Sequence, residues 1–224
     1  MNKRIWLLIP LMMIAQQLVL ATPSTQIWNP STDIQARGIY HLGLDNYFTV
    51  QDYTSGGYTY PTDLGLTYGV TPNLEVGIDY LSPQPKPGSQ LVFNAKVGLP
   101  ESSTTPAVAV GGYGFGLLPG VTDQNIIYGV VAKTFFLGRL TAGYFQGKAA
   151  TIGNDNGGVI LTWDKIINDK WWLCVDYAGG NSVIGALFAG FSYYFSPNTS
   201  VIFGYGKWNN GAAPTITTQL DINI

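Results

Sequence analysis

Between Gly185 and Trp208 the chain reads GALFAGFSYYFSPNTSVIFGYGKW, and side-chain character alternates there from one residue to the next. Leu187, Ala189, Phe191, Tyr193 and Phe195 fall on one face. Ala186, Gly190, Ser192 and Tyr194 fall on the other, with Phe188 an apolar exception. A period of two marks a strand with one apolar side. Ser196-Pro197-Asn198 supplies a tight turn, proline presetting φ and asparagine accepting the bend. Beyond it Val201, Phe203 and Tyr205 alternate with Ile202, Gly204 and Gly206. The stretch is an antiparallel hairpin, greasy on one side and small or polar on the other. TDLGLTYGVTPNLEVGIDYLS repeats the plan around Thr71-Pro72-Asn73. Hairpins built alike predict a closed sheet.

Such a sheet belongs either to a soluble sandwich or to a barrel in a bilayer. Charged residues are only 11% of the chain, against about 25% in an average soluble domain. Past the first residues there is no long apolar run of the kind a helical membrane protein carries. Met1–Ala21 has the pattern of a signal peptide: Lys3 and Arg4, then the apolar Ile5–Ala15, then Val19-Leu20-Ala21 as cleavage site. Its removal takes away two bases and no acid, and no basic tract remains to suggest nucleic acid. Cys174 is the only cysteine, so no internal disulfide is expected. The expected organisation is a signal peptide at 1–21, a periplasmic N-terminal tether at 22–34 and a barrel at 35–224. The tether, TPSTQIWNPSTDI, is turn-rich and has no period.

About twelve alternating segments follow, each near the ~9–11 residues a tilted strand needs to cross a bilayer. Short turns at Pro72, Leu137-Gly138, Asn168 and Pro197 take turns with longer loops at Tyr53, Pro85, Gly120, Ile152 and Asn209. Outer-membrane barrels place short turns in the periplasm and longer loops outside. On that topology Tyr68, Phe136, Trp163, Trp171 and Phe195 form a periplasmic aromatic rim. Tyr80, Phe93, Phe115, Tyr128, Tyr144, Tyr177 and Tyr205 form an external one. Rings gathered at both ends of an aliphatic band suit anchoring where lipid meets water. The expected fold class is all-β, an antiparallel up-and-down transmembrane barrel.

With these features the chain resembles the bacterial outer-membrane β-barrel proteins. YGVTPNLEVGIDY and YYFSPNTSVIFGYG look like hairpins of small porin-like or transporter-like barrels. The resemblance implies residence in the outer membrane of a Gram-negative bacterium with both termini in the periplasm, and a transport role. It also implies outer-membrane lipid and the barrel-assembly machinery as partners. One departure is the ending Asp221-Ile222-Asn223-Ile224, where such barrels commonly close on an aromatic residue.

The inward face carries whatever function the barrel has, because the outer face need only satisfy lipid. It is rich in small residues, Gly65, Gly77, Gly98, Gly190 and Gly204 among them. These either leave a narrow pore or merely allow close strand contact. Asp45, Asp79 and Asp176 are expected toward the external mouth, Glu75 with Lys96 and Arg139 with Asp164 toward the periplasm, and Lys133 in the lower lumen. Two roles fit such charges: mutual neutralisation inside the wall, or a constriction that favours counter-ions. The resulting expectation is a monomeric barrel passing small solutes or ions passively, with some preference for cations. The alternative is a non-conducting envelope scaffold or surface-interaction barrel. A lipid-modifying enzyme would need a nucleophile and base open to the membrane, whereas the sole histidine, His41, falls on the lumenal face. No cofactor or metal is expected, for want of ligand spacing.

Overall fold

In the computed structural model, which describes residues 24–83 and 90–224, the alternating segments close into one barrel. Its first six strands are β1 (Tyr40–Thr49), β2 (Thr62–Thr71), β3 (Leu74–Ser82), β4 (Leu91–Leu99), β5 (Ala107–Gly116) and β6 (Asp123–Phe135). The second six are β7 (Gly138–Gln146), β8 (Gly157–Asn168), β9 (Trp171–Ala178), β10 (Ala186–Ser196), β11 (Thr199–Trp208) and β12 (Thr215–Asn223). Each strand pairs antiparallel with its sequence neighbours, and β1 pairs with β12 to complete the ring. Closure leaves no free edge, so the backbone groups of the wall are satisfied within it, as lipid requires. The expected signal peptide, 1–21, lies outside the described residues.

Register follows the alternation. In the β10–β11 hairpin Phe191 lies opposite Phe203 on the outside, while Gly190 faces Gly204 and Ser192 faces Ile202 on the inside. A slip of one residue would send every one of these side chains to the wrong medium. Leu161, Leu173, Val175 and Leu187 are among the exposed residues of an apolar belt. In water such a belt would exceed any ordinary surface patch; against acyl chains it is the satisfied face.

The connections divide by end. Pro72-Asn73, Phe136-Leu137, Asp169-Lys170 and Pro197-Asn198 turn tightly at the end where β1 begins and β12 finishes, and only 100–106 is longer there. The opposite end carries the longer loops. Trp171 packs against Phe191 and Tyr193, and Tyr193 against Phe195, on the outside near the turn end. Lys170 and Lys165 lie over the Tyr193 and Phe136 rings at 5.9 and 5.7 Å, holding cations at the belt's margin.

β6 runs in the phase opposite to the one expected. Ile126, Tyr128, Val130 and Ala132 are buried inward, and Ile127 and Val131 face out. Tyr128 therefore leaves the external girdle. Lys133, expected in the lumen, sits opposite the outward Leu140 and bonds Glu101 of the β4–β5 turn at 2.9 Å. The strand is apolar on both faces, so composition does not choose its side. The choice is made by an interior cluster of Ala109, Phe145, Ile152, Ile160, Ala178 and Ile184, which takes in Ile126, Tyr128 and Val130 of β6. Ile152 reaches this cluster from a short helix, α1 (Ala149–Ile152), in the β7–β8 loop.

Candidate functional site

Residues 24–38 precede β1, and a segment without alternation must satisfy its backbone polar groups outside a ladder. The segment expected as a tether instead folds into the lumen as an inner hairpin. Thr25 bridges Pro30, Gln26 N donates to Asn29 O at 2.7 Å, and Ile27-Trp28 form the tip. Gln26, Ile27, Asn29, Ser31, Thr32 and Gln35 are all fully enclosed. The physical reason is that wall side chains supply the missing partners. Asp176 Oδ2 accepts from the backbone N–H of Trp28 at 2.7 Å and of Asn29 at 3.3 Å. Glu75 accepts from Gln35 N at 2.5 Å and from Ser24 Oγ at 2.7 Å. Lys96 Nζ donates to Ser24 O at 3.0 Å, and Gln219 Nε2 to Ile27 O at 2.7 Å.

Packing completes the fit. The facing glycines Gly190 and Gly204 form a recess for Ile27: a Cβ on either would come within 3.0 Å of its side chain. Where the segment leaves the lumen, a Cβ on Gly69 would stand 2.1 Å from Ala36 O, so only glycine admits the crossing. Trp28 stacks on Phe188 at 5.5 Å and meets Tyr47 and Trp208 edge-on at 5.5 and 5.1 Å. Its indole N–H donates to Ile184 O at 2.8 Å. Phe188, the apolar exception on an inward face, thus packs against a ring of the inner hairpin as well as against Trp208 and Tyr47 of the wall.

The inner hairpin occupies the side of the lumen nearest β8–β12. Toward β1–β5 it leaves a cavity of about 450 Å³. Ser24, Glu75, Lys96 and Asp221 lie at its turn-end floor, and Pro61, Val121 and Val183 carry it to the loop end. The floor is electrically closed. Lys96 meets Glu75 at 3.2 Å, both fully buried, and His41 Nε2 meets Asp221 at 3.3 Å while its Nδ1 bonds Asn223 at 2.9 Å. Arg139 joins Asp164 of the wall at 2.9 Å to Asp33 of the inner hairpin at 2.7 Å.

Higher up the balance changes. Asp45 and Asp63 are cross-strand partners on β1 and β2, Asp79 of β3 lies opposite Gly65, and all three aspartates line the cavity. Asn94 donates to Asp79 Oδ2 at 2.8 Å, but among the described residues no cation pairs with any of the three. Asp63 Oδ1 is sealed from solvent and has no hydrogen-bond partner among the described residues.

Of the seven residues singled out in the sequence, Glu75 pairs with Lys96 and Arg139 with Asp164 across neighbouring strands of the wall. Asp45 and Asp79 share the cavity. Asp176 stands apart from them: fully buried, it holds the tip of the inner hairpin and accepts from Thr162 Oγ1 at 2.7 Å. Asp63 was legible, since it shares the parity of Gly65 and Thr67. Asp33 was not, because nothing local distinguishes it from a loop aspartate.

Comparison with protein-family models and with curated proteins finds no match. Among solved structures, a KdgM porin superposes with a TM-score of 0.51 at 7% identity, over 81% of this chain and 98% of that one. The Acinetobacter baumannii outer membrane protein Omp33 superposes with a TM-score of 0.51 at 11% identity, over 83% and 97%. At such identities the likeness is one of fold, and the fold is that of outer-membrane porin barrels.

Proposed function

We propose that this barrel resides in the outer membrane and passes small solutes or ions passively, cations ahead of anions, through the part of the lumen that the inner hairpin leaves open. The porin fold supports a channel rather than an enzyme. The observation that carries the reading is the cavity, lined at mid-height by three acids that have no basic partner among the described residues. Acids gathered without cations in a confined, poorly screened space favour the entry of positive over negative ions. Outer-membrane lipid and the barrel-assembly machinery are the partners this reading requires, and an N-terminal export signal delivers the chain to them.

The inner hairpin also favours a second reading, a non-conducting envelope scaffold or surface-interaction barrel, because it fills one side of the lumen and bonds to the paired charges at the turn end. The zero-current potential of the refolded barrel in a planar bilayer under a potassium chloride gradient separates the two. A steady potential of the sign that favours potassium supports the channel. A folded, inserted barrel that carries no current refutes it and leaves the scaffold.

A further inference from the structure

We infer that the cavity is a binding chamber for small organic cations, an ammonium or guanidinium group carried on an apolar body. The inference deepens the channel reading by naming the solute, and it rests on that reading only for passage, since binding needs no conduction.

Three observations converge on this class of ligand. The first is charge. Glu75, Asp164 and Asp221 each have a basic partner, and Asp176 is satisfied by the inner hairpin. Asp45, Asp63 and Asp79 have no such partner among the described residues. The second is Asp63 of the chamber wall, whose Oδ1 finds no hydrogen-bond partner among the described residues. A shielded carboxylate oxygen without a donor is costly until something supplies one.

The third is the aromatic part of the lining. Trp28, Tyr47, Tyr60 and Trp208 line the same cavity, with Tyr60 tilted against Trp208 at 5.8 Å. Aromatic faces next to carboxylates attract a weakly hydrated cation on an apolar stem. A metal ion would need tighter convergence: among the described residues no three His, Cys, Asp or Glu side chains gather closely enough to hold one. The volume of about 450 Å³ falls within the range of small-molecule sites. Gly43 and Gly65, facing each other across β1 and β2, leave the wall bare between the acids and His41.

The test is tryptophan fluorescence of the refolded full-length barrel titrated with benzylammonium, benzyl alcohol and benzoate. Saturable quenching by benzylammonium, with the neutral and anionic analogues at least about tenfold weaker, is the expected result. Asp63→Asn and, separately, Asp45→Asn should each weaken benzylammonium about 10–100-fold. Glu101→Gln, outside the chamber, should leave it unchanged. Equal binding of the three probes, no binding by the folded wild type, or indifference to both aspartate substitutions overturns the inference. A barrel that conducts without saturating refutes the chamber and spares the channel. One that saturates without conducting does the reverse.

Discussion

Replacing Trp28 with alanine should free the inner hairpin from the lumen. The indole contacts three rings, those of Tyr47, Phe188 and Trp208, at centroid distances of 5.1–5.5 Å, and spends its N–H on Ile184 O. Truncating a packed tryptophan to alanine costs about 3–5 kcal/mol. The barrel wall is held by its own closed ladder, so the loss falls on docking rather than on the barrel. At about 1.4 kcal/mol per factor of ten, the undocked population rises roughly 100- to several-thousand-fold. The chain carries its own reporter. Cys174, its only cysteine, is 1% exposed and its thiol lies 3.8 Å from Gln26 Oε1, behind the inner hairpin. Labelling by a water-soluble maleimide should accelerate in Trp28→Ala by that factor, up to the point where docking no longer limits the reaction. Trp28→Phe should fall between. Labelling of a folded Trp28→Ala barrel within a few-fold of wild type would refute the idea that these ring contacts hold the inner hairpin in place.

Other consequences follow from the same contacts. Lys96→Met strands the buried Glu75 and should lower stability by about 3–5 kcal/mol; Lys96→Met with Glu75→Gln should recover part of it in thermal melts, and a double variant less stable than the single one would contradict the pairing. Leu173→Arg puts a charge on the lipid face of β9 at about 2–4 kcal/mol, so folded yield in vesicles should drop well below that of Leu173→Met; equal yields would mean that the face is misassigned. In the β4–β5 turn, hydrogen bonds from Lys133 and then Thr134 hold the Glu101 carboxyl below its usual range. That contribution is present above the unfolded value of about 4.3 and is lost as pH falls through the lower folded value. Protection of the Thr134 amide, which donates to Glu101, should therefore fall only in acid, and protection that is flat across the titration would dismiss the contact.

The wall was legible because lipid imposes a simple rule on it. Leu173 and Val175 alternate with Cys174 and Asp176 since one medium is acyl chain and the other is not, and the same rule marked His41, Glu75 and Lys96 as inward. The rule fails where both sides are apolar. On β6 the interior cluster, not lipid, decides that Tyr128 points in and Lys133 out. It is silent for residues 24–38, whose partners lie far along the chain: Trp28 is held by Asp176, Asn29 by Thr162, and Asp33 by Arg139. No local period records contacts of that range. Two traces were nevertheless present: Phe188 on an inward face, and the opposed Gly190 and Gly204, which together mark a recess for a side chain from elsewhere.

Single-channel conductance of wild type and Trp28→Ala, recorded in the same salt, asks most directly whether the inner hairpin meters an otherwise passable lumen. Wild type should show small, cation-selective steps, and Trp28→Ala larger or more frequent ones of the same selectivity. If thiol labelling shows the inner hairpin released in Trp28→Ala and the current is no greater than in wild type, the lumen is not a passage.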